Sequence, residues 1–187
     1  MSAPLSGHYR PRTMVHPGPV APLRLEPVAT RGQRQWRLVL APGQVLLPAL
    51  TGALAAQGVQ AAALALFGGE LETVSYCLPI PDPEGQVIAT YGAPLVLHQA
   101  ALLRASATLG QTADGAPVIH CHASFADAQG QVRGGHVLTD RTVVGRRPVT
   151  VLATALDGIA LRLGFDAETR LHMLRPQLAQ AEEPNHA

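Results

Sequence analysis

Apolar positions change period several times along the chain, and each change marks an element. Trp36-Arg-Leu-Val-Leu40 alternates as a first strand does, and Ala41-Pro-Gly43 closes it. Over residues 44–57, Leu47, Leu50 and Leu54 recur at spacings of three and four, which predicts a helix. Pro48 falls in its first turns, where proline costs least, and Gly58 ends it. Residues 61–67 form an apolar run suited to a buried strand, Gly68-Gly69 breaks it, and 71–78 is a further strand. Residues 79–85 read as a loop, 86–90 as a short strand, and 95–108 as a strand pair or one bent strand. A hairpin at 118–138 follows. Residues 141–156 carry a turn entering a strand, Asp157-Gly158 is a two-residue hairpin signal, and 159–165 is the last clear strand. This pattern predicts an α/β domain of the α+β kind: one compact unit, mostly antiparallel sheet, with one main helix packed on it.

The hairpin carries the most chemistry. It reads V-I-H-C-H-A-S-F-A-D-A-Q-G-Q-V-R-G-G-H-V-L, with β-forming residues on both sides of Asp127-Ala128-Gln129-Gly130. A type I turn led by aspartate, followed by a left-handed glycine, gives a three-residue loop over 128–130. Asp127 then faces Gln131, and counting back sets His122 opposite His136. His120 shares their face, because side chains alternate along a strand. A slip of one residue would turn His136 to the other face.

Three neutral imidazoles with a fourth position open match a catalytic-type zinc site, with Zn–N distances of about 2.0–2.1 Å. Nickel, iron or copper would accept the same donors. A lone His-x-His is more often a polar pair on a solvated sheet face; the third histidine in register reverses that balance. Gly134, opposite Ser124, adds no bulk and is expected to leave open space over the histidine face. Cys121 points the other way and reads as a small buried apolar residue, not a ligand.

Other candidates are weaker. Glu70 and Glu72, two residues apart, share a strand face. If that face looks toward the histidines, one carboxylate serves as general acid/base or metal partner; otherwise both sit at a solvated strand end. His98 and Arg104 share a face of a continuous strand, and Arg104 either holds a substrate carboxylate through a bidentate pair or forms a sheet salt bridge. There is no P-loop or dinucleotide fingerprint and no GxSxG elbow, so nucleotide and serine esterase chemistry lose support.

Charge separates the first 37 residues from the rest. The formal charge is +1, and every basic residue is arginine. Residues 1–37 hold six arginines against Glu26, whereas the remaining eight arginines face twelve acidic residues. Six prolines and little periodicity make 1–34 an extended arm. Arg10, Arg12, Arg31 and Arg34 are its candidates for contacting DNA, although Arg31-Gly-Gln-Arg34 departs from the Arg-Gly-Arg-Pro core of an AT-hook. The domain proper is expected at 35–176, with a polar tail at 177–187. The negative balance of residues 38–187 advertises no concentrated basic face for duplex DNA.

Cys77 and Cys121 lack a CxxC or a disulfide framework and read as reduced thiols of a cytoplasmic protein. The start, M-S-A-P-L-S-G-H, carries no signal-peptide pattern. The apolar run 45–67 is interrupted by Pro48, Gly52 and Gly58, so no membrane span is expected.

The string His120-Cys-His122-Ala-Ser-Phe-Ala-Asp127, followed by Gly130-Gln-Val-Arg-Gly134-Gly135-His136, resembles the signature of the plant and prokaryote conserved (PPC) domain. Gly68-Gly-Glu-Leu71-Glu-Thr-Val74 and Phe165-Asp-Ala-Glu-Thr169 are similar to flanking segments of that family. The resemblance covers roughly 36–176 and implies a compact α/β domain assembled as a homotrimer. It also implies a metal on the three histidines in bacterial and archaeal members. Plant members are DNA-binding proteins that carry separate AT-hook segments, and the fold resembles that of acetolactate decarboxylase, a metal-dependent lyase.

The leading expectation is therefore a bacterial PPC-domain protein, DNA-binding by family label, with a Zn2+ or similar ion on His120, His122 and His136. The alternative is a metal-dependent enzyme acting on a small oxo- or hydroxy-carboxylic acid, with Glu72 or Glu70 moving protons and Arg104 holding the carboxylate. A trimeric scaffold with a purely structural metal is the third, and it would need a fourth protein ligand.

Overall fold

The computed structural model describes residues 15–22, 27–30 and 34–179. Along them run β1 (Gln35–Leu40), α1 (Leu46–Ala55), β2 (Ala62–Phe67), β3 (Glu70–Cys77), β4 (Pro79–Ile80), β5 (Thr90–Tyr91) and β6 (Leu95–Gln111). There follow β7 (Pro117–Ala126), β8 (Val132–Val137), β9 (Val143–Val144), β10 (Val149–Ala155), β11 (Ile159–Asp166) and β12 (Leu171–Leu178). The main sheet has the order β1-β10-β2-β6-β7-β8-β3-β9, and its neighbours pair antiparallel. This is the α+β class that the strand and helix pattern predicts.

The sheet curls. Gln99 sits at φ 56, and a bulge lies between Leu102 and Arg104, so the 17-residue β6 bends. Its first half pairs β3 and its second half pairs β2, while β7 lies along its other edge. β3 in turn pairs β8 through Tyr76↔Val137 and Cys77↔His136. Pairing therefore runs in a closed circuit through β3, β6, β7 and β8.

Alternation decides what the circuit encloses. On β7, Ile119, Cys121, Ala123 and Phe125 are buried, while His120, His122 and Ser124 are exposed. The buried set joins Ala62, Leu64 and Leu66 of β2, Val149 and Val151 of β10, and Leu46, Leu50 and Leu54 of α1 in one core. The helix ends in a Schellman arrangement: Val59 N–H donates to Leu54 O at 3.0 Å, Gly58 N–H donates to Ala55 O at 2.9 Å, and Gly58 has φ +68.

Several expected elements differ. Residues 86–89 form no strand, because the Asp82 carboxylate accepts from Gln86 N–H (2.6 Å) and Val87 N–H (3.0 Å), and Ile88 N–H donates to Thr169 O at 3.0 Å. With those donors satisfied, only Thr90–Tyr91 pairs, with β4. Asp157-Gly158 does turn, with Ile159 N–H on Leu156 O at 3.1 Å, but the flanking strands part: β10 pairs β1 and β2, whereas β11 pairs β12. β12 has no counterpart among the expected strands. It tolerates Pro176 because it pairs only with β11 and so lies at an edge.

β12 carries the chain to Leu178, and residues 180–187 lie outside the described residues. So do Arg10, Arg12 and Arg31 of the arm. Part of the arm is placed: His16 Nδ1 lies 2.6 Å from Glu168 Oε1, and Ala21 N–H donates to Glu168 Oε2 at 2.8 Å. No helix among the described residues is long and apolar enough to cross a membrane.

Candidate metal centre

The hairpin loop sets the register that brings the histidines together. Asp127 N–H donates to Gln131 O at 3.0 Å and Gly130 N–H to Asp127 O at 2.9 Å, with Gly130 at φ +75. The Asp127 carboxylate also accepts from Gln131 N–H (2.8 Å), Arg133 Nε (3.3 Å) and Gln129 N–H (3.0 Å), and these bonds, Gln131 foremost, hold it below the usual carboxylate range. From that loop the pairing runs Ala126↔Val132, Ser124↔Gly134 and His122↔His136, as the turn chemistry predicts. Gly134 lines open space beside His122 and has a second part as well. A Cβ there would come 2.6 Å from Ala123 O, so the glycine also lets β8 approach β7.

His120, His122 and His136 converge with one possible donor atom from each lying within 4.8 Å of the others. Ring centroids are 4.9 Å apart for His120–His122 and His120–His136, and 5.4 Å for His122–His136. Bonds of about 2.0–2.1 Å in tetrahedral geometry set donors about 3.4 Å apart, so an ion would draw the three imidazoles together. The donor set fits a transition metal: all three are imidazoles on adjacent strands, and no carboxylate belongs to the group.

Electrostatics favours the neutral, ligating form. Burial first, then the neighbouring His120 and His122, pushes His136 down to about 4; burial and then His122 lower His120. For His136 the folded value is below the unfolded one. The unfolded chain therefore binds more protons between about 6.5 and about 4, and stability is complete above that window and lost as pH falls through it. Urea melts of metal-free protein at about pH 7.5 and about pH 5 are expected to show the decline, with a smaller one in His136→Gln.

Tyr91, which carries no signal in the sequence, stacks on His136 with centroids 4.6 Å apart and planes at 30°, its hydroxyl 3.4 Å from Nδ1. Burial and then the nearby Cys77 raise its pKa, so the phenol stays protonated. β4 and β5 deliver it across the loop, a closure that no local pattern announces. Cys121 is buried and its thiol is pushed up to about 12 by that burial, in keeping with an apolar role.

The other candidates divide. Arg104 pairs with Ser124, two residues along from Ser106↔His122, and lines with His122, Ser106, Ser124 and Gly134 a cavity of 370 Å³. Glu70 and Glu72 do not reach the site. They lie seven and five residues along β3 from Cys77, the partner of His136, or roughly 23 and 16 Å at the usual strand rise. Glu70 instead lies 3.7 Å from Arg147. His98 is set apart from Arg104 by the bend of β6 and lies 3.3 Å from Thr73 Oγ1. Arg34 is engaged by Asp157 at 2.8 Å, by Gln57 O at 3.0 Å and by the Trp36 ring at 5.3 Å. That is a structural anchor for the start of β1, not a free arm cation.

Solved structures with this fold include a metal-containing protein from Archaeoglobus fulgidus, 22% identical, covering 81% of this chain and 99% of that one at a TM-score of 0.66. A plant- and prokaryote-conserved (PPC) protein from Pyrococcus horikoshii is 18% identical over 82% of this chain and all of that one (100%), at 0.62. One named "Putative DNA-binding protein" from Ralstonia eutropha JMP134 is 18% identical over 76% of this chain and 90% of that one, at 0.61. Acetolactate decarboxylase from Bacillus subtilis reaches only 0.40 at 11% identity and supports nothing about chemistry here. No curated protein matches the sequence. The family model of the Plants and Prokaryotes Conserved (PCC) domain, the same family as PPC, matches residues 28–156, and the chain belongs to that family.

Proposed function

We propose that this protein is a metalloprotein, zinc-preferring and homotrimeric, that binds a small oxo- or hydroxy-carboxylic acid beside three ligating histidines. The observation that carries this reading is the convergence of His120, His122 and His136 next to a cavity that also holds Arg104. A bound zinc would supply Lewis acidity toward a carbonyl oxygen. The chain's own part is to hold and orient the acid. Arg104 offers a guanidinium fork to a carboxylate, Ser106 and Ser124 add hydroxyl donors, and Tyr91 fixes the ring plane of His136. The Archaeoglobus relative's description as metal-containing agrees with the ligand set.

The homotrimer draws support from apolar side chains left on the open sheet face. Val39, Phe67 and Leu152 are 52%, 36% and 47% exposed on β1, β2 and β10, which are neighbours. Sedimentation is expected to give three times 19.6 kDa, and His122→Ala to keep that mass while losing metal. Dissociation on metal loss would make the ion structural. Arg104→Ala is expected to weaken pyruvate binding to zinc-loaded protein by about tenfold or more with zinc content unchanged. Equal affinity in the variant would overturn the carboxylate assignment.

A second reading, DNA binding, is favoured by one observation: the six arginines against one acidic residue in 1–37. With Arg34 held by Asp157, it rests on Arg10, Arg12 and Arg31, and on the Ralstonia relative's name. Duplex binding that collapses between about 50 and 200 mM salt and is abolished by Arg10→Ala/Arg12→Ala/Arg31→Ala would establish it.

A further inference from the structure

On the far side of the histidines from Arg104 lies a second cavity, of 470 Å³, between β7 and the β11–β12 hairpin. His120, His136 and Tyr91 stand at its edge, and Val118, Leu161, Leu163, Leu171 and Leu174 give it apolar walls. Thr108 and His172 complete the polar lining, the latter edge-on to Phe165 at 5.8 Å. The hairpin is seated there by close packing and not by a ladder: β11 meets β6 through the single bridge Arg162↔Gln111. Close packing is possible because residue 110 is glycine, where a Cβ would come 2.7 Å from both Leu161 O and Leu174 Cδ2. Its tip is tied by Ile88 N–H on Thr169 O, near the end of the loop that delivers Tyr91.

The two cavities flank one histidine cluster and differ in character, one holding a guanidinium and hydroxyls, the other leucines. The register measures the span. Arg104 pairs with Ser124 and Thr108 with His120, four residues apart on each strand, or about 13 Å. A three-carbon acid held at Arg104 falls short of the leucines. Resting on the metal-centre reading above, we infer that the ligand is an amphipathic 2-oxo or 2-hydroxy acid. Its carboxylate lies at Arg104 and an apolar tail of about four to eight carbons fills the second cavity, whose 470 Å³ falls in the range of small-molecule sites.

Calorimetry on zinc-loaded, full-length protein with straight-chain 2-oxo acids from pyruvate to 2-oxodecanoate tests this. Affinity is expected to rise about fourfold per methylene until the cavity is filled. Leu163→Trp, which fills the cavity, is expected to abolish the rise while pyruvate affinity and zinc content stay unchanged, and Leu171→Trp serves if the first variant fails to fold. An affinity that is flat along the series, as a cavity plugged by a neighbouring copy would give, overturns the inference and leaves the carboxylate reading standing. A rise that persists in both tryptophan variants also overturns it, by moving the tail elsewhere. Pyruvate failing to bind the zinc-loaded protein at all removes both.

Discussion

Tag-free protein is expected to carry about one zinc or similar ion per chain, and His120→Ala/His136→Ala to carry none, by elemental analysis. Two of three donors are removed, and a single imidazole does not retain a divalent ion through purification. The fold is expected to survive, because His120 is exposed and the other face of β7, with Ile119, Cys121, Ala123 and Phe125 buried, is untouched. Circular dichroism of the double variant should therefore overlay the parent's. Metal retained in the double variant would place the site elsewhere and undo the zinc assignment.

The second large effect lies behind the histidines. Phe125→Ala is expected to lower unfolding stability by about 3–5 kcal/mol in urea, a substantial part of the total for a domain this size. The Phe125 side chain is fully buried, and its ring stands edge-to-face on Tyr76 with centroids 5.0 Å apart at 73°. Tyr76 pairs with Val137, beside His136, so the cavity left by the ring loosens the support of one ligand strand. The variant should therefore bind metal more weakly as well, whereas the ligand double variant loses metal without losing the core. A cost below about 1 kcal/mol would mean that the core collapses around the gap.

How much could be read in advance depended on whether the information was local. The histidine register was legible because Asp127 and Gly130 fix a loop of known length, and every later pairing on β7 and β8 follows by counting. Helix α1 was legible from Leu50 and Leu54, with Gly58 to stop it. What failed depended on contacts distant in sequence. Asp157-Gly158 looks like a hairpin in isolation, but β1 and β2 compete for both edges of β10 and win. The strand expected at 86–90 lost its donors to Asp82 and to Thr169, which lies more than eighty residues away. For Glu70 and Glu72 the spacing gives a shared face, and face says nothing about position along a strand. Tyr91 reaches His136 only once the loop after β4 has closed, and β12 was hidden by Pro176, which stops a central strand but not an edge.

The closed circuit of β3, β6, β7 and β8 has a consequence for how the centre exchanges its ion. Neither strand of the histidine hairpin has both edges free: β7 is bonded on both sides by β6 and β8, and β8 meets β3 where His136 lies. Local fraying cannot separate the three donors, and amide protons of the central part of β7 should exchange with deuterium only through global opening. Chelation and reloading then become surface events on a rigid platform. Apo and holo protein should give nearly the same amide spectra outside the imidazoles, and metal should return at rates set by ligand access, with no slow refolding phase.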